Sequence, residues 1–266
     1  RWLSDSDYGL FVLIYSLIIF ISGFHNALIL EPLSVLGPSI FVDKINSYIR
    51  LQVKNHFILT GCLSLLIIII SLFLKNNSIV SALVSAGIAL PFILFVWLLR
   101  RIFYVLHVPL YALLTSLFFA VFLILGIAFW PYRNTAWSFF ILGISSFLCT
   151  LLAIVLKTKC KTTRDSGNIN WSYQIYVNWN FGKTIILAAC LYAFGSQIQL
   201  FIMGFFSNVQ MAGEWRALQN FTLPMLQISA AISTLTLPLL SKEFGQSDWE
   251  KLYKKGKLLL LGLLSV

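Results

Sequence analysis

Seven stretches of this chain are apolar for long enough to cross a lipid bilayer, and no other feature constrains the fold as strongly. A hydrocarbon core of about 30 Å takes roughly 20 residues of α-helix. Residues 8–30, 57–74, 79–99, 110–130, 136–156, 184–206 and 221–240 meet that length, and an eighth run opens near Leu258. Lipid offers the backbone no hydrogen bonds, so only helices or closed barrels span it. The strict alternation of a barrel strand is missing from these runs. The expected fold class is therefore all-α, a polytopic transmembrane helix bundle with seven full spans and the start of another. Composition agrees, with 59% hydrophobic and 11% charged residues against about half and a quarter in soluble domains. The chain opens at Arg1 and stops at Val266 inside an apolar run. The first run has no small-residue cleavage site after it, so it is not a signal peptide. The expectation is a fragment cut at both ends.

The net charge of +10 invites a nucleic-acid reading. The basic residues, however, fall between apolar runs rather than along one soluble face, so no nucleic-acid partner is expected. Their distribution instead sets orientation. Fifteen of the nineteen Lys and Arg residues lie in the connections after the first, third, fifth and seventh spans. Positive charge marks the cytoplasmic side, which puts residue 1 outside and an odd number of helices before it.

Two cytoplasmic connections are more than turns. Residues 39–57 carry Ile40, Phe41, Ile45, Tyr48, Ile49, Val53 and Phe57 at helical spacing, with Asp43, Lys44, Arg50 and Lys54 elsewhere. That pattern predicts an amphipathic helix lying on the membrane surface. Residues 157–183 form the longest polar break, a basic run followed by Trp171, Tyr173, Tyr176 and Trp179. This segment is the expected cytoplasmic linker between an N-terminal bundle of five spans (1–156) and the start of a truncated second bundle (184–266). A weak repeat fits that division: Leu28-Ile29-Leu30-Glu31-Pro32-Leu33-Ser34 against Leu235-Thr236-Leu237-Pro238-Leu239-Leu240-Ser241.

Polar groups within spans are costly and face a bundle interior or a water-filled space. At 100° per residue Arg216, Asn220, Gln227 and Thr234 share one face of the seventh helix, flanked by Gln219. A guanidinium followed by amides suits a phosphate-bearing ligand. The alternative is that Arg216 reaches outer headgroups, paired with Glu214. On the sixth helix Tyr192, Ser196 and Gln199 recur at i, i+4 and i+7, as ligand contacts or as interhelical glue. Ser22, His25 and Asn26 sit near the cytoplasmic end of the first helix, where a lone His more often bonds a neighbouring helix than relays protons. Arg100 and Arg101 end the third span as topology anchors, or collect an anionic headgroup. Pro91, Pro224 and Pro238 are expected to kink their helices.

Catalysis has little support. All nine acids lie at span ends or in loops, without a convincing acid–base pair. The four cysteines (Cys62, Cys149, Cys160 and Cys190) lack metal or disulfide spacing, and there is no Gly-rich phosphate loop. The chain is therefore not expected to be an enzyme or to hold a metal or cofactor.

Tyr8-Gly9-Leu10-Phe11 with Asn26-Ala27-Leu28-Ile29-Leu30-Glu31-Pro32-Leu33 resembles the second helix of bacterial polysaccharide (O-antigen-type) flippases. Arg216-Ala217-Leu218-Gln219-Asn220, with Pro224 and Gln227, resembles the eighth. These flippases belong to the multidrug/oligosaccharidyl-lipid/polysaccharide exporter superfamily. The resemblance implies a two-lobe exporter fold with the first helix and the C-terminal helices missing. It also implies a bacterial inner-membrane transporter that flips undecaprenyl-pyrophosphate-linked oligosaccharide outward by alternating access. Arg216 matches a cavity arginine for the pyrophosphate; Gln219, Asn220 and Gln227 would meet sugar hydroxyls, and Gln199, Ser196 and Asn26 complete the candidate set. Lipid-linked oligosaccharide, membrane lipids and other polysaccharide-assembly membrane proteins are the implied partners. The rival readings are a multidrug antiporter of the same superfamily, which needs a carboxylate within a span, and a membrane-embedded sugar transferase or polymerase, which needs larger loops.

Overall fold

The computed structural model describes residues 3–129, 133–158, 167–245 and Tyr253. Within them the backbone forms nine α-helices and no strand. Helix α1 (Asp5–His25) continues through a π-helical turn, Asn26–Leu30, into α2 (Glu31–Ser39). Then follow α3 (Ile45–Ser71), α4 (Asn77–Val105), α5 (Pro109–Phe129) and α6 (Thr135–Thr158). The chain ends in α7 (Trp171–Phe206), α8 (Val209–Gln219) and α9 (Leu223–Gly245). Five segments are long and apolar enough to cross a membrane: Asp5–Ser39, Val42–Ser71, Asn77–Val105, Pro109–Phe129 and Thr135–Lys157. A sixth forms if the two parts of α7, bent by 43° between Tyr192 and Gln197, count as one span. Gly195-Ser196 lies in that break, the kind of pair at which helices bend. The chain is thus an all-helical, multi-pass protein. The expected seventh run, 221–240, appears as a turn and α9, with Arg216 on the separate helix α8 before it, and the expected eighth lies outside the described residues.

Local chemistry explains the helix starts. Ser4 caps α1 through its hydroxyl, which accepts from the Asp7 N–H, and Asn76 and Asn170 cap α4 and α7 in the same way. The lipid-facing sides follow from composition. Leu113, Leu117, Val121 and Ile124 of α5, and Leu65, Leu66, Ile69 and Ile70 of α3, are all exposed. A water-soluble surface would not carry apolar patches of that extent.

Helices in lipid approach closely where side chains are small. On α4, Ala82, Ala86 and Ala89 are buried, and a methyl added at Gly143 of α6 would lie 2.9 Å from the Ala89 methyl. Near the start of α1, Gly9 abuts the Val209 carbonyl at the start of α8, and Gly213 of α8 meets the backbone of Gly9 in return. Asp7 ties the same end to α6, accepting from the Thr135 hydroxyl at 3.0 Å. Helix α2 packs against α9.

Residues 39–57 correct the surface-helix expectation. Ile45–Ser71 is one unbroken helix, and Tyr48 and Ile49 are fully buried in a core shared with α2 and α4. The apolar stripe is real, but protein covers its middle, at Phe41, Tyr48 and Ile49, while Ile40 and Phe57 at its ends are exposed. Its polar neighbours bond α7. The Tyr48 hydroxyl donates to Asn178 Oδ1 at 2.8 Å, Asn55 Nδ2 donates to Gln174 Oε1 at 2.9 Å, and Trp171 Nε1 donates to Asn55 Oδ1 at 2.8 Å. Part of the expected linker, from Trp171 to Lys183, is therefore the first third of a 36-residue helix, while residues 159–166 lie outside the described set. Tyr48→Phe deprives Asn178 of its donor and Gln52, which donates to the same oxygen, of its acceptor. Each buried polar group left unpaired costs about 1–3 kcal/mol. The variant is expected to lose stability on that scale in detergent unfolding, with Phe41, stacked on the ring at 4.4 Å, still in place.

Candidate functional site

A cavity of about 670 Å³ lies among α1, α4, α8 and α9. From α1 it takes Tyr8, Phe11, Val12, Tyr15 and Ile19, and from the π turn Asn26 and Leu30. These positions recur every three or four residues and so form one helical face. At about 1.5 Å per residue, Tyr8 to Leu30 covers roughly 30 Å, close to the thickness of a bilayer core. Helix α4 adds Trp97, Arg100, Arg101 and Tyr104; Arg216, Asn220, Leu223, Gln227, Ala230 and Thr234 complete the wall.

Arg216, Asn220, Gln227 and Thr234 thus share one cavity although the helix is broken between them. Asn220 keeps helical angles (φ −59°, ψ −22°) and its N–H bonds the Arg216 carbonyl, so the spacing from 216 to 220 survives. The chain turns at 220–222 and α9 carries the remaining positions. Arg216 donates to Gln219 Oε1 at 3.3 Å, whereas Glu214 accepts from Gln210 at 3.1 Å. Gln219 therefore holds the arginine rather than lining the wall. Gln199 is exposed on α7, away from this cavity, and the Ser196 side chain lies outside the described residues.

Arg100 and Arg101, which the sequence offered as anchors or headgroup collectors, line the cavity at the end opposite Arg216. Arg101 is 9% exposed and pairs with Glu31 at 3.5 Å, and Asn26 Nδ2 reaches the same carboxylate oxygen at 3.4 Å. Glu31 stands inside the continuous 35-residue helical segment Asp5–Ser39. The helix does not stop at Leu30, so Glu31 lies within a helix, just past the stretch from Tyr8 to Leu30 that matches the bilayer core in length. Arg100 Nε is buried without a partner. Tyr8, Tyr15, Trp97 and Tyr104 complete the lining. Only their helical register relative to Arg216 and Arg100 could have marked them in the sequence.

Among the described residues the lining has three arginines, one of them paired with Glu31 behind the wall, and no Asp or Glu. A cationic hollow in a low-dielectric surround attracts anions and repels cations. Among the described residues no His, Cys, Asp and Glu cluster could hold a metal ion. No protein-family model, curated protein or solved structure matches the chain.

Proposed function

We propose that this chain serves a membrane transporter of two-lobe exporter fold that moves a pyrophosphate-linked lipid oligosaccharide between leaflets of the bacterial inner membrane. One observation carries the reading. A wall roughly as long as the bilayer is thick has arginines toward both ends, amides and aromatic rings along it, and no carboxylate among its described residues. Pyrophosphate is bound by guanidinium forks, sugars by amides and aromatic faces, and an isoprenoid tail can remain in lipid. The Lys and Arg distribution assigns the Arg100–Arg101 end to the cytoplasm. The headgroup would be taken up there and handed to Arg216 at the outer end as α1–α2 and α8–α9 move against each other. No covalent step is needed. The absence of a carboxylate from the described lining also favours an anionic cargo over the cationic cargo of a multidrug antiporter.

The test is a binding titration on the full-length protein in nanodiscs with a short isoprenyl pyrophosphate, the matching monophosphate and the free alcohol. Affinity should fall in that order, and equal affinity for all three would remove the cavity from headgroup recognition. Glu31→Gln frees Arg101 from its counter-charge. For a part-exposed pair worth about 0.2–1 kcal/mol, pyrophosphate binding should tighten up to roughly five-fold; weaker binding would show that Glu31 supports the site.

A further inference from the structure

His25 and His56 meet in the bundle interior, both wholly buried. His25 Nε2 lies 2.9 Å from His56 Nδ1, and His56 Nε2 lies 3.2 Å from the Pro91 carbonyl of α4. These contacts fix the protons. A carbonyl only accepts, so His56 Nε2 carries the hydrogen and its Nδ1 bears a lone pair. His25 Nε2–H therefore donates to that lone pair. What remains is His25 Nδ1, a basic nitrogen, fully buried and without a partner. A two-link hydrogen-bond chain ends on an open proton acceptor.

The surroundings show what a proton there would do. The titratable group facing His25 from α3 is His56; α4 presents the Pro91 carbonyl and the Phe95 ring. Glu31, beyond the π turn, pairs with Arg101 of α4, and on α7, which packs on that turn at Gly182, Lys183 is exposed and donates to Asn180. Among the described residues no carboxylate bonds either imidazole. An imidazolium would thus be buried unpaired, which is costly, and relief lies in parting α1 from α3 and α4. The π turn begins at the next residue, Asn26, which lines the large cavity. Such turns are weak points in a helix. On its far side a methyl at Gly182 would come within 2.7 Å of the Ala27 carbonyl, so the turn cannot shift without moving α7.

We propose that His25, oriented by His56, is a proton-binding site: Nδ1 takes a proton from water, becomes imidazolium, and shifts the bundle between two arrangements. Its meaning as the coupling ion of transport rests on the proposed function, but its test needs no transported substrate. The full-length protein, 15N-labelled at histidine in nanodiscs, is taken from about pH 8 to about pH 5. At the upper end His25 should show a protonated Nε2 and a bare Nδ1. On acidification both nitrogens become protonated, and over the same range the distance between spin labels at Asn77 and Phe221 shifts. In His25→Gln that shift is lost. The proposal is overturned if His25 stays neutral for as long as the protein stays folded, if it protonates with the label distance unchanged, or if His25→Gln keeps the shift. The spectrum of the unsubstituted protein decides the matter even where the variant fails to fold.

Discussion

Arg216→Ala, introduced into the complete transporter, is expected to leave membrane levels unchanged and to cut surface-polysaccharide delivery roughly ten- to hundred-fold. The size follows from the chemistry. A hydrogen bond to a charged group contributes about 1.5–3 kcal/mol, and each 1.4 kcal/mol is a factor of ten. Arg216 donates to Gln219 and lines the cavity beside Asn220 and Gln227, so its loss removes the charge without dismantling a core. Arg216→Lys keeps the charge but loses the bidentate fork, and should fall between the two. Export at the original rate with Arg216→Ala would take this residue out of the mechanism.

The largest expected loss of stability is at Gly9. A side chain there would place its first carbon 2.0 Å from the Val209 carbonyl oxygen, and backbone cannot move aside as the tip of a side chain can. Gly9→Leu must push α8 off α1, separating Tyr8 from the helix that carries Arg216. Overpacking of this kind costs about 1–3 kcal/mol or more, so the thermal midpoint in detergent should drop clearly and cavity binding should weaken with it. Gly61 serves as the control, since an added carbon there meets nothing within 4 Å. Gly61→Ala should be neutral or slightly stabilising, because alanine is the better helix former. A Gly9→Leu protein as stable as Gly61→Ala would refute the close α1–α8 packing.

Much of this was legible in the sequence wherever one helix carried the whole signal. The 3.6-residue period aligns Arg216 with Asn220 and Gln227 with Thr234; the turn at 220–222 that separates the two pairs was not foreseen, yet all four line one cavity. Features that depend on two distant segments were not legible. Glu31 and Arg101 are 70 residues apart, and His25 and His56 are 31 apart; each residue alone reads as an anchor or a core polar group. Residues 39–57 show a different limit. Periodicity reports that a helix has an apolar face but not what covers it, and here α2 and α4 cover its middle in place of headgroups. The end of the first helix was misplaced because Glu31-Pro32 looks like a stop. Proline is tolerated in the first turn of a helix, and the π turn before it carries the backbone through to Ser39.

The most direct measurement is water access and ligand protection at Gln227. With the native cysteines replaced, Gln227→Cys in membranes should react with a water-soluble maleimide, and an isoprenyl pyrophosphate should slow that reaction where the free alcohol does not. Leu117→Cys, on the lipid-facing side of α5, should stay unlabelled under both conditions. Failure of Gln227→Cys to react, or equal protection by alcohol and pyrophosphate, would contradict a hydrated cationic cavity that receives the headgroup.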